Sequence, residues 1–150
     1  VSEQQVETKL LTVNVHLTGP VDGPTVLLLH GWPDDATAWT NVAAHLNEAG
    51  FRTVTPDLRG FGRTRFRSAD TPRTGNSGIL AHDAVDLMDA MGIGTFMVAG
   101  HDWGSNAAEA MAVGWPERVT HMAMLSTPSR LGGMPTPAFP QCQRQWYHWF

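Results

Sequence analysis

The residue best suited to chemistry is Asp102. It sits in Gly100-His101-Asp102-Trp103-Gly104, between the apolar run Thr95–Ala99 and the Ala-rich segment Trp103–Val113. A carboxylate with a reference pKa of about 3.9 is ionised at neutral pH and can displace a leaving group at saturated carbon. A sharp strand-to-helix turn lifts its middle residue into a cleft on strained backbone. Residues two places to either side must then be small, and Gly100 and Gly104 meet that need. The same five residues also read as a glycine-rich turn whose Asp102 caps the following helix. The second chemical group is His30-Gly31-Trp32-Pro33, directly after Thr25–Leu29. Gly31 lets backbone approach a ligand and Pro33 sets the loop. The backbone N–H groups of Trp32 and Trp103 are then expected to converge as an oxyanion hole. His30 reads as a loop-shaping residue bonded to nearby backbone, not as a proton carrier.

Both groups need strand exits to hold them. Leu10–Leu17 alternates apolar and polar residues, the period of a half-buried strand. Thr25–Leu29 is continuously apolar, as in a strand covered on both faces. Helical spacing over Ala38–Ala49 puts Trp39, Val42, Ala43, Leu46 and Ala49 on one side, with Gly50 as the stop. Arg52–Thr55 reads as a strand, Ile79–Met91 as a helix buried through Leu80, Ala84, Leu87, Met88 and Met91, and Val119–Leu125 as a last strand. Strands alternating with such helices predict an α/β fold with a mostly parallel sheet. The short turn after Leu17 predicts that the first strand runs antiparallel to the next. Arg59–Gly78 and Thr127–Pro140 are rich in glycine and proline and read as loops. In such a sheet, ligands sit beyond the carboxyl ends of the strands, where both chemical groups fall.

Composition removes several classes. With 42% hydrophobic and 16% charged residues, the 150-residue chain is globular and not disordered. A formal charge of −4 offers no global basic field for nucleic acid. The single cysteine, Cys142, excludes an internal disulfide and every cysteine-based zinc pattern. No apolar run approaches the roughly 18 residues a membrane helix needs. The polar, acidic Val1–Lys9 is unlike a signal peptide. The missing initiator Met fits a trimmed start, and a cytoplasmic compartment fits the rest.

Taken together, the motifs resemble those of the α/β-hydrolase superfamily and, within it, the epoxide hydrolases. His30-Gly31-Trp32-Pro33 resembles that family's oxyanion loop, and Pro56-Asp57-Leu58-Arg59-Gly60-Phe61-Gly62 its D-x-R-G-x-G loop. Gly100-His101-Asp102-Trp103-Gly104 is similar to its nucleophile elbow. Trp115-Pro116-Glu117-Arg118-Val119 resembles its P-E-R-V segment, and Gln145-Trp146-Tyr147 its cap segment. The resemblance implies an α/β-hydrolase fold over residues 1–126 and the start of a cap over 127–150, with the chain stopping after the fold's sixth strand. It implies that Asp102 opens a small apolar epoxide through an alkyl ester, that Tyr147 assists the leaving oxygen, and that no cofactor or metal takes part. It also implies that the general-base histidine lies outside this chain. None of His16, His45, His82, His101 or His121 is placed to replace it, so the chain reads as a fragment competent for one half-reaction.

Other readings stay open. Haloalkane dehalogenases share the Asp elbow and often the Trp after it, so a halide substrate is an alternative. His148-Trp149 resembles the halide pair of fluoroacetate dehalogenases, but those carry arginine where this chain has Trp103. A non-catalytic interaction protein on the same scaffold is the third. His82, Asp83, Asp86 and Asp89 have metal-ligand spacing yet read as a solvated helix face. Arg59, Arg63, Arg65, Arg67 and Arg73 read as a solvated basic loop beside the cleft. Gly92-Ile93-Gly94 is a plain turn, and the methionines fall on core faces. An unguarded apolar edge at Val119–Leu125 predicts self-association or a missing C-terminal half as its cover.

Overall fold

The computed structural model describes residues 2–127 of the chain. Among the described residues seven strands form one mixed sheet: β1 (Ser2–Glu7), β2 (Leu11–Thr18), β3 (Thr25–Leu29), β4 (Arg52–Pro56), β5 (Arg65–Phe66), β6 (Phe96–His101) and β7 (Val119–Leu125). Three helices accompany them, α1 (Thr40–Glu48), α2 (Ser77–Ala90) and α3 (Trp103–Gly114), with a 3-10 turn, Ala36–Trp39, leading into α1. The sheet order is β1-β2-β4-β3-β6-β7, with β5 pairing a second stretch of β2. Strands β4, β3, β6 and β7 are parallel, and β2 is antiparallel to β4 and β1.

Strand β3 explains the layering. Successive side chains of a strand point to opposite faces. Leu27 and Leu29 enter the larger core with α2 and α3, whereas Val26 and Leu28 meet Trp39 and Ala43 on the other face. All four are buried, so the run is apolar throughout. On α2, Leu80, Ala84, Leu87 and Met88 face the sheet, and Asn76 caps the helix by accepting the Ile79 N–H at 3.0 Å.

Several expectations need correcting. The first predicted strand is antiparallel to β3, but the two do not pair: β4 lies between them. The acidic N-terminus is a strand, β1, in register with β2 from Ser2↔Leu17 to Glu7↔Thr12. Its side chains are almost all exposed, so it lacks the alternation that marks a half-buried strand; backbone bonds hold it. The Arg-rich loop contains a two-residue strand, β5, that lies off the main path of the sheet, so Val119–Leu125 remains the sixth strand of that path. The predicted helix Ala38–Ala49 begins as a 3-10 turn, and Val42 is 44% exposed and not in the buried stripe.

The solvated-face and solvated-loop readings also fail in part. Arg59 is buried and holds Asp83 through two bonds, of 2.5 and 2.7 Å, while donating to Thr74 O at 2.9 Å. Asp86 pairs with Lys9 and Asp89 with Arg118. Arg63 and Arg67 reach across to Glu3 and Glu7 on β1. The missing signal was spatial: the opposite charges lie 24 to 77 residues apart in sequence. Among the described residues no His/Cys/Asp/Glu cluster could hold a metal, and no helix is long and apolar enough to cross a membrane.

Candidate active site

Asp102 follows the last residue of β6 and precedes the first of α3. Its backbone has φ +54° and ψ −116°, outside the regions that side-chain-bearing residues ordinarily occupy. Such a residue persists only where its surroundings over-determine it. The elbow packs too closely for side chains at its glycines. A Cβ on Gly100 would run into the Gly104 carbonyl, and one on Gly104 into the Leu29 carbonyl of β3. The Asp102 side chain makes no capping bond to α3. Instead its Oδ1 accepts the Trp32 backbone N–H at 3.0 Å. Gly31 makes that approach feasible, since a Cβ there would lie 2.5 Å from Asp102 Cβ and 2.6 Å from Oδ1.

The loop carrying Trp32 is held at both ends by two consecutive residues from the exit of β4. At its start His30 is fully buried. His30 Nε2 accepts the Leu58 N–H at 2.9 Å, which puts the ring proton on Nδ1, where it is donated to Gly31 O at 2.8 Å. Burial lowers the His30 pKa below its ordinary value, keeping the ring neutral. Past the loop's far end Asp57 Oδ1 accepts the Ala36 N–H at 2.9 Å. Asp57 Oδ2 accepts from Asn14 Nδ2 at 3.0 Å and from the Arg63 N–H at 2.8 Å. The Trp32–Pro33 peptide is cis. The Trp32 side chain is 56% exposed.

The sites named from sequence therefore separate. Gly31, Trp32, Gly100, Asp102 and Gly104 meet at one point, with His30 and Pro33 in the supporting loop. Trp103 opens α3, where the first amides have no intrahelical acceptor. His101 lines a cavity of about 260 Å³ with His30, Trp39, Val42 and Leu125, and Asp102 is not among its lining residues. Tyr147, with the whole 128–150 segment, lies outside the described residues. No histidine among the described residues hydrogen-bonds Asp102. His45 is exposed beside Glu48, His82 stacks edge-on against Trp115, and His16 lies 3.9 Å from Glu3.

Sequence reasoning missed Ser105, which is fully buried and bonded to both Gly100 and Leu125, and Thr127, bonded to Asp102 O. A lone serine in an Ala-rich helix was the available signal, because hydroxyls compete for backbone there. It also missed Asp57 and Leu58 as clamps of the Trp32 loop.

A family profile of the α/β hydrolase fold matches residues 24–150. Epoxide hydrolase 2 of Siraitia grosvenorii is 37% identical over 117 residues, which cover 76% of this chain and 35% of that protein. Epoxide hydrolase B of Mycobacterium tuberculosis is 33% identical over 130 residues, 84% of this chain and 36% of that one. Among solved structures, a Klebsiella pneumoniae protein provisionally named an epoxide hydrolase is 40% identical with a TM-score of 0.83. That match covers 97% of this chain and 49% of the other. The chain thus spans about a third of the length of these curated relatives and half of that solved neighbour. With its sheet order, its strained elbow and its matched profile, the chain belongs to the α/β-hydrolase family, among relatives named as epoxide hydrolases.

Proposed function

We propose that this chain supplies the nucleophile and the oxyanion loop of an epoxide-hydrolase-type reaction. The observation that carries the reading is Asp102 Oδ1 seated on the Trp32 N–H instead of capping its own helix. With Oδ1 engaged, Oδ2 is the oxygen left to attack. It displaces the ring oxygen from one epoxide carbon, forming a C–O ester bond as the ring C–O bond breaks, and the departing oxygen gains a proton. Tyr147 is the donor we assign from the family resemblance. Oδ1 is then the carbonyl oxygen of the ester, already in place on Trp32. When water adds to the ester carbon, Oδ1 takes the negative charge, and the Trp32 and Trp103 amides stabilise it.

Alkylation needs no base, but hydrolysis does, because neutral water is a poor nucleophile until a base takes its proton. Among the described residues no histidine hydrogen-bonds Asp102, and on this reading the base lies outside the chain, so the chain alone stops at the ester. The test is incubation with styrene oxide followed by intact-mass measurement and peptide mapping. One adduct per chain on the Asp102 peptide is expected, and Asp102→Asn abolishes it, since an amide is a feeble nucleophile. A wild-type chain that stays unmodified, or an Asp102→Asn chain that is still modified, overturns the reading. Repeated turnover by this chain would show that a base is present after all.

A further inference from the structure

Strand β7 does more than pair with β6. Beyond the last paired residues, His101↔Leu125, the Asp102 N–H donates to Leu125 O at 3.1 Å. The ladder therefore continues into the elbow itself. Ser105, one turn into α3 and fully buried, faces the same strand end. Its Oγ lies 2.6 Å from Gly100 O and 2.8 Å from Leu125 O, and it accepts the Leu125 N–H at 3.1 Å. Ser126 then turns the chain at φ +63°. That turn brings Thr127 back over the elbow, where its Oγ1 donates to Asp102 O at 3.2 Å.

These contacts answer a need the elbow creates. Asp102 occupies a disfavoured conformation; α3 holds only its carbonyl, through the Ser105 and Asn106 N–H groups, and its side chain takes nothing from the helix. Something outside the turn must hold it. Two hydroxyls do so: Ser105 joins Gly100 to Leu125, and Thr127 adds a bond to the carbonyl of Asp102 from beyond β7. Neither reaches the attacking oxygen. Loss of either would let the carboxylate drift from Trp32, and small misplacements of a reacting group slow attack steeply.

We propose that Ser105 and Thr127 are positioning residues that latch the nucleophile elbow to the carboxyl end of β7 and so hold Asp102 on the Trp32 amide. This rests on the reading of Asp102 as nucleophile. Three variants test it: Thr127→Val, which keeps shape and loses the hydroxyl, Thr127→Ser, which keeps the hydroxyl, and Ser105→Ala. Adduct formation with styrene oxide is followed by intact mass over a range of concentrations, and hydrogen exchange is followed on the peptide spanning Asp102.

Thr127→Val and Ser105→Ala are expected to lower the maximal alkylation rate by roughly 10- to 100-fold, with the half-saturating concentration shifted less than about 2-fold. Thr127→Ser is expected to stay within about 3-fold of wild type. Elbow exchange should quicken in Thr127→Val while the β3 peptide is unchanged. A Thr127→Val chain that reacts like wild type overturns the latch, as does a Thr127→Ser chain as slow as Thr127→Val. If Ser105→Ala does not fold, the Thr127 pair decides. If wild type forms no adduct, the nucleophile reading falls. The latch is then judged by exchange alone, and equal elbow exchange in wild type and Thr127→Val overturns it.

Discussion

His30 shows how a residue can matter to a site without carrying its proton. Its two ring nitrogens are both used by backbone, one accepting from Leu58 and one donating to Gly31. A protonated ring would have no lone pair for the Leu58 N–H and would sit charged in a buried site. The folded-state pKa is accordingly depressed by burial. A depressed pKa means that the unfolded chain binds a proton first as pH falls. The stability contributed by neutral His30 is therefore complete above its ordinary value of 6.5 and is lost as pH falls through the folded value. Urea unfolding between pH 8 and pH 5 should show stability declining on the acid side. In His30→Gln, which does not titrate, that part of the decline should vanish. An unchanged pH profile in the variant would show that His30 is not the linked group.

At the scale of elements, the D-x-R-G-x-G segment after β4 is the hub. Asp57 and Leu58 clamp the Trp32 loop, while Arg59 ties the same turn to α2 through Asp83. The ion pair is nearly dry: Arg59 and Asp83 side chains are 4% and 12% exposed. Burial pushes the Asp83 carboxyl up, against the pull of the Arg59 guanidinium. Pairs of this kind add little over a well-packed apolar pair, but removing one partner strands a buried charge. Asp83→Ala should cost about 3–5 kcal/mol, read from the denaturant midpoint. The double variant Arg59→Met/Asp83→Leu should recover most of that loss. A cost within about 0.5 kcal/mol for Asp83→Ala, the range of ordinary surface substitutions, would show that the pair is effectively solvated.

Across the whole molecule, the two borders of the sheet differ. Strand β1 is polar and carries Glu3 and Glu7, both engaged by arginines. Charge of this sort keeps an edge from pairing with another chain. Strand β7 is the border at the other side among the described residues, and its His121, Met122, Ala123 and Leu125 are exposed. Met122 and Leu125 are 39% and 44% exposed, and no charged side chain guards the run from Met122 to Leu125. We expect this chain on its own to form dimers or larger species through that border, visible as a concentration-dependent mass by light scattering. A clean monomer at high concentration with a cooperative melt would contradict this.

What was legible in the sequence was local and periodic. The strand-helix alternation, the buried run Thr25–Leu29, the glycines flanking Asp102 and the histidine-glycine loop could all be read off residue types. Each reflects a constraint acting within a few residues: side-chain period, the absence of a Cβ, a helix stop. Strand β1 escaped notice because its ladder bonds are made by backbone, which every residue type provides. The insertion of β4 between β2 and β3, the pairing of Arg59 with Asp83, and the seating of Asp102 on Trp32 across 70 residues were decided only by the tertiary structure. These are contacts between distant segments, and neither charge nor spacing names a partner until the sheet order has brought the segments together. Whether Asp102 caps its helix or faces the oxyanion loop was open in the sequence for the same reason. The positive φ that turns it away from α3 is tolerated because β7, Ser105 and Thr127 surround it.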